Sequence, residues 1–440
     1  MANIPAMRTL PAVLGMFLLG VVACESVSSE QIQTWKNTQK GPDKLEGALR
    51  SSKVPARLRA EAAAALVEIG RPERVDEILA ASEAGERWEM LKTSVEIYIK
   101  GMGSPQLPRA REARDALFSI RQYAPPDEQK RIDSALLASI GKDLSEGRFT
   151  GGRHSLDKML IAIGSASGPM LVKLLGDPMA PYKGLAELLV KVCDEPTRDS
   201  GGRALLKRAT ASGPIQGDMW LALGLLGGPT VTDYLASKME KGSPNEAVAA
   251  AKALQQSRFP AVLHLALKIA ADGKANREVR GEAFGVVEKV GGPEAQQGLI
   301  RIIAGDKDGL VRYRAHEAAL EVGKANAILP ALEAFSGKLS FKKEDVVDFL
   351  AKDISKIGSM AKPQVLAALA SASPLARMTA IYALEAPLVT NPKLRLGGPE
   401  DAGMLMKLAG DTAAIKGFPG GVTVGSEAKR VAALLQGKGG

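Results

Sequence analysis

The side chains able to do chemistry are few in this chain, and their spacing limits what each can do. His154, His264 and His316 are the only histidines of 440 residues. They lie too far apart for an HExxH or any other local metal-ligand pattern. His316, close to Arg314 and Glu317, is expected on the surface of a helix. Cys193 ends a mostly apolar helical stretch, 185–193, and is expected to be a small buried hydrophobe. Asp306-Lys307-Asp308-Gly309 resembles part of a calcium loop. Placing Gly309 at the sixth loop position, however, puts Ala304 first and Ala315 twelfth, and neither can bind the ion. That segment reads as a turn between two helices. Gly224–Gly228 lacks the Lys-Ser/Thr that follows a phosphate loop, and no GxSxG nucleophile elbow is present. Catalytic residues, metals and cofactors are therefore not expected. Two features remain: Cys24 at the end of an apolar run, and the recurrent arginines Arg59, Arg280, Arg312 and Arg377.

Composition frames both. Apolar residues make up 45% and charged residues 24%, the balance of a folded soluble protein rather than a disordered one. The 46 glycines follow no three-residue period, which excludes collagen. Aromatic residues are only 4%, so the core has to be aliphatic and rich in alanine. Two cysteines exclude a disulfide scaffold and a multi-cysteine zinc module.

Residues 1–23 form a targeting segment and take no part in the fold. Arg8 is the only charged side chain before Glu25, and Thr9–Ala23 is uncharged. Fifteen residues of helix reach roughly 22 Å, short of the roughly 30 Å hydrocarbon layer, so the stretch reads as a secretory signal rather than a membrane span. Its end, Val21-Val22-Ala23-Cys24, resembles the lipobox of bacterial lipoproteins. The resemblance implies cleavage before Cys24 and acylation of that cysteine, and more than one acyl chain gives stable anchoring. In that family an Asp after the cysteine favours inner-membrane retention. Glu25 stands there in this chain, so the outer membrane is the expected location. Residues 24–30 form a tether of only roughly 20 Å.

The rest of the chain repeats. Pro169, Pro196, Pro229, Pro260 and Pro293 follow one another at spacings of 27, 33, 31 and 33 residues; Pro42, Pro72, Pro363 and Pro399 extend the series. After each proline comes an apolar face at helical spacing, then a break such as Asp272-Gly273 or Gly305-Asp306. A second helical stretch follows, containing the recurrent arginine and closing on a glycine such as Gly70, Gly291 or Gly323. Proline at the start and glycine at the end are the boundary signals of helices. A unit of about 32 residues cannot bury a core alone, so the units have to stack. The pattern resembles HEAT repeats. It predicts an all-α fold, an α-solenoid of about a dozen HEAT-like hairpins over 31–436, with a flexible tail at 437–440. No linker divides the solenoid. The least regular region, 101–152, is expected to hold two longer helices at 111–123 and 127–144.

In HEAT repeats an Arg of the second helix and an Asp of the turn often form a ladder between units. The resemblance places Arg59, Arg280, Asp306, Arg312 and Arg377 in such a ladder, with Asp306 facing Arg312 and Asp272 facing Arg280. The alternative reading is an anion-binding surface. The net charge of +9 falls to +8 once Arg8 is cleaved away, a weak field over so long a chain. Nucleic acid is not an expected partner, given export and the few aromatic side chains for stacking. The expected function is a lipid-anchored scaffold or adaptor of the cell envelope, held to the membrane by its anchor, facing the periplasm and binding envelope proteins. The alternative is a module for an anionic glycan or other envelope polymer.

Overall fold

The computed structural model describes residues 27–148, 154–211, 213–335, 343–390, 396–415 and 421–437. Cys24, the 1–23 segment and part of the glycine-rich stretch 417–425 lie outside the described residues. Among the described residues every regular element is a helix. The chain divides into two compact units, Met1–Ser139 with Gly151–Ser155 and Ile140–Thr150 with Leu156–Gly440.

In the first unit, α1 (Ser29–Trp35) leads into the hairpin α2 (Gly41–Arg50) and α3 (Ala56–Glu68). The hairpin α4 (Pro72–Ala81) and α5 (Ala84–Met102) follows, then α6 (Leu107–Ile120) and the start of α7 (Pro126–Ser145). The last two are the longer helices expected in the irregular region. Helix α3 packs on α2, α4 and α5, and α5 packs on α6.

The second unit begins with α8 (Leu156–Ile163). Eight hairpins follow: α9 (Gly168–Leu175) and α10 (Tyr182–Val192), α11 (Glu195–Ala211) and α12 (Gly217–Leu226), α13 (Pro229–Lys241) and α14 (Pro244–Ser257), and α15 (Leu263–Ala271) and α16 (Arg277–Val290). The series continues with α17 (Gly292–Gly305) and α18 (Gly309–Gly323), α19 (Ile328–Ala334) and α20 (Lys343–Lys356), α21 (Lys362–Ala368) and α22 (Pro374–Thr390), and α23 (Ala402–Lys407) and α24 (Val424–Leu435). The second helices pack on one another in an unbroken series from α10 to α24, and the first helices do so from α9 to α21. This nearest-neighbour stacking is the α-solenoid arrangement. The apolar stretch Leu156–Leu175 is long enough to cross a bilayer, but Gly164 breaks it at φ +72° and its Leu156, Leu160 and Leu171 are buried against the hairpin core.

Local chemistry explains the boundaries. The prolines of the repeat series sit at the first or second position of their helices, where a missing N–H leaves no bond unmade. Gly291 closes α16 at φ +68°, a conformation that side chains disfavour. Asn276 caps α16 by accepting from the amides of Glu278 and Val279. At α14, Glu246 accepts from the Ser243 amide and from Lys238 at 2.7 Å, which holds its carboxyl down to about 2.

The core is built from small side chains. Helix α14 buries Ala247, Ala250, Ala251 and Ala253 beside Leu254, and α18 buries Ala315, Ala318 and Ala319. Alanine removes little surface from water, so stabilisation depends on backbones coming close enough for dense contact. Gly224 shows the limit: a Cβ added there would lie 2.0 Å from the Ala253 carbonyl oxygen. Gly281, on an open helix face, would meet nothing within 4 Å. Substitution by alanine is therefore expected to act with opposite signs. Gly224→Ala should lose about 1–3 kcal/mol through overpacking of α12 on α14, whereas Gly281→Ala should gain about 0.5–1 kcal/mol from helix propensity. Urea denaturation of the two variants checks both.

Candidate interaction surface

The recurrent arginines lie in the seams between helices. Arg280, on α16, donates to the Ala270 carbonyl at 3.1 and 3.0 Å and to the Asp306 carboxylate at 2.9 Å. It thus ties the end of the first helix in its own hairpin to the turn of the next. Arg377, on α22, repeats this arrangement, donating to the Ser371 carbonyl at 2.7 Å and to Asp411 at 2.8 Å. Arg312, on α18, donates to the Ile303 carbonyl at 2.6 Å. Burial lowers its pKa, the nearby Asp306 opposing the effect. Arg59 is buried in α3. Arg208, on α11, was not singled out by the repeat pattern yet holds the turn after α9, donating to Pro178 and Ala180 carbonyls.

Two pairings differ from the sequence expectation. Asp306 forms its ion pair with Arg280 of the preceding hairpin rather than with Arg312 of its own. Asp272 accepts from the Lys274 amide and shapes its own turn, while Arg280 points onward to the following one. The reason is the offset of the stack: an arginine near the start of a second helix reaches the end of its own first helix and the adjacent turn along the series. These guanidinium groups are buried or nearly so, which leaves little of them for an anion-binding surface.

His316 also departs from expectation. It is fully buried rather than exposed. Its ring stands edge-on to Phe335 at 5.6 Å, and neither nitrogen has a hydrogen-bond partner among the described residues. Burial lowers its pKa to about 4, with Asp353 acting weakly in the other direction. Cys193 is half-buried rather than buried, and burial raises its thiol pKa. His264 faces Glu294 at 3.3 Å on the surface, and His154 lies 3.2 Å from the Ser119 hydroxyl. No metal-holding cluster occurs among the described residues.

The feature that sequence reading passed over is a groove across α16, α18 and α20, with a cavity volume of about 580 Å³. Its lining holds four acids, Glu288, Glu317, Glu321 and Asp353, and four bases, Lys289, Arg314, Lys324 and Lys356. Arg314 bridges Glu288 at 2.8 Å and Glu317 at 3.5 Å. Lys324 pairs with Glu321 at 2.8 Å, and Lys356 with Asp353 at 2.6 Å. The Tyr313 hydroxyl donates to the other oxygen of Asp353 at 2.6 Å. Glu288 is buried enough that its pKa is raised despite Arg314. Met360, at 66% exposure, adds an apolar edge. The signal was present in α18 as Arg314, Glu317 and Glu321, charges at helical spacing on one face.

Residues 232–321, which span α13 to α18, match the family model of HEAT repeats. No curated protein matches the chain. Among solved structures, Kap121p bound to RanGTP is 13% identical, with 93% of this chain and 51% of that chain covered and a TM-score of 0.37. Kap121p bound to Pho4p is 14% identical, covering 90% of this chain and 41% of that one, with a TM-score of 0.28. The chain therefore spans about half the length of the Kap121p chains or less. A circular tandem repeat protein with novel repeat topology is 14% identical over 93% of this chain and 86% of that one, at a TM-score of 0.17.

His316 yields a pH prediction. Its pKa is about 4 when folded and the ordinary 6.5 when unfolded. Between those values the unfolded chain binds a proton that the folded chain refuses. The stabilisation from neutral burial is thus complete above about pH 6.5 and is lost as pH falls toward 4, on the order of 3 kcal/mol in all. Urea unfolding at pH 7.5 and 4.5 should show a steeper loss for the natural protein than for His316→Leu.

Proposed function

We propose that the chain is a non-enzymatic scaffold, anchored to an envelope membrane through acylated Cys24, which binds a protein partner along the second-helix face of its repeats. The observation that carries this reading is the groove across α16, α18 and α20, where four cations and four anions stand together. Such a surface complements a polar protein segment bearing both signs of charge. It is poorly matched to a polyanion, which would meet four carboxylates along with the four bases. HEAT-type stacking supports the reading because it presents a continuous row of helix faces built from many small contacts. The Cys24 part rests on the Val21-Val22-Ala23-Cys24 pattern and its position after an uncharged run. The expected site is the outer membrane, facing the periplasm.

The test has two arms. In cells, the natural chain should fractionate with membranes and take up a labelled fatty acid, and Cys24→Ala should lose the label and move at least tenfold into the soluble fraction. Unchanged attachment would remove the anchor. In crosslinked envelope extracts, one protein should be captured by the natural chain and lost from Lys324→Glu/Lys356→Glu, in which two ion pairs of the groove become like-charge contacts. Capture that is insensitive to those changes, or retention of an anionic glycan in its place, would contradict the groove.

A further inference from the structure

The first hairpin has a charge distribution that the scaffold reading does not use. Helix α2 buries Leu45, Ala48 and Leu49 on one face. Lys40 stands just before the helix, Lys44 and Arg50 lie on its exposed side and flank, Lys53 follows in the next turn, and all four are exposed. Lys40, Arg50 and Lys53 make no ion pair among the described residues. The acid on that face is Asp43, whereas Glu46 turns aside to Arg74 at 3.2 Å. Beside the basic group stands Trp35, half-buried at the end of α1, with the Lys44 ammonium 5.6 Å from its ring centre. Trp35 and Lys40 follow Cys24 by 11 and 16 residues.

We propose that this face, Lys40, Lys44, Arg50 and Lys53 with Trp35 at its edge, lies against a membrane surface of anionic lipid headgroups. The inference rests on the reading of Cys24 as a lipid anchor, which would hold the start of α1 within roughly 20 Å of the bilayer, with α2 the next helix along the chain. Three physical arguments meet here. Basic side chains near an anionic leaflet are each attracted by it within a Debye length. Tryptophan favours the headgroup level, where its ring is half apolar and half wet. Lys40, Arg50 and Lys53 give up no ion pair when they turn to the lipid.

The experiment uses full-length protein carrying Cys24→Ser throughout, so that acylation plays no part in the outcome. Co-sedimentation is measured with phosphatidylcholine vesicles and with vesicles in which one third of the lipid is phosphatidylglycerol. The parent should prefer the anionic vesicles by tenfold or more at low salt, four basic groups against one acid. The preference should fade at about 0.3 M salt, where the Debye length is roughly 5 Å. Lys40→Glu/Lys44→Glu/Arg50→Glu/Lys53→Glu should abolish the preference. Lys173→Glu/Lys183→Glu/Lys191→Glu/Lys207→Glu changes the charge equally at exposed lysines of the second unit and should retain it. Equal binding to both vesicles, no binding, or equal loss in the two variants would overturn the proposal. Failure of the anchor itself would appear elsewhere, as unchanged fractionation of Cys24→Ala.

Discussion

A Cβ on Gly224 would lie 2.0 Å from the Ala253 carbonyl oxygen, and at such points one second helix is held almost directly against the next. The rest of the second unit depends on that closeness. Alanine and glycine expose little apolar surface, and a single hairpin built from them has too little to bury. Stability therefore arises between neighbours: α12 on α14, α14 on α16, and onward along the series. The arginines act on the same seams. Arg280 and Arg377 each saturate a carbonyl that ends one helix and a carboxylate in the following turn. Both groups would otherwise be left near a dry interface without partners, a costly state.

That construction accounts for how the stack presents a continuous charged groove. Close stacking of α16, α18 and α20 brings side chains from three hairpins into one groove. Its charges are fixed by mutual pairing, as Arg314 is between Glu288 and Glu317. Inside the stack, buried His316 and Phe335 meet edge-on. The same logic separates buried arginines, which hold the stack, from exposed lysines such as Lys40 and Lys44, which are free to meet a partner.

Much of the fold was legible in the sequence because its signals are local. Prolines 42, 72, 169, 229 and 293 open helices where expected, and Gly70 and Gly291 close helices with positive φ. Contacts between repeats were less legible. Asp306 was assigned to Arg312 because both lie in one unit, but the offset of the stack gives it to Arg280. His316 was read from its charged neighbours. Its helical register, four residues after buried Arg312 and three before buried Ala319, was the better guide. The groove was missed because its residues come from α16, α18 and α20, and only their shared face unites them. Cys24 lies outside the described residues, so its role remains a proposal on sequence grounds.

The claim that stability resides in the seams is tested most directly by a double-mutant cycle across one of them. Arg280→Ala, Asp306→Ala and the double variant would be compared with the natural chain by urea denaturation. The two side chains are largely buried and meet at 2.9 Å. The account predicts a coupling energy of about 1–3 kcal/mol, with the double variant losing clearly less than the sum of the single losses. Additive losses, with coupling within about 0.3 kcal/mol of zero, would contradict it.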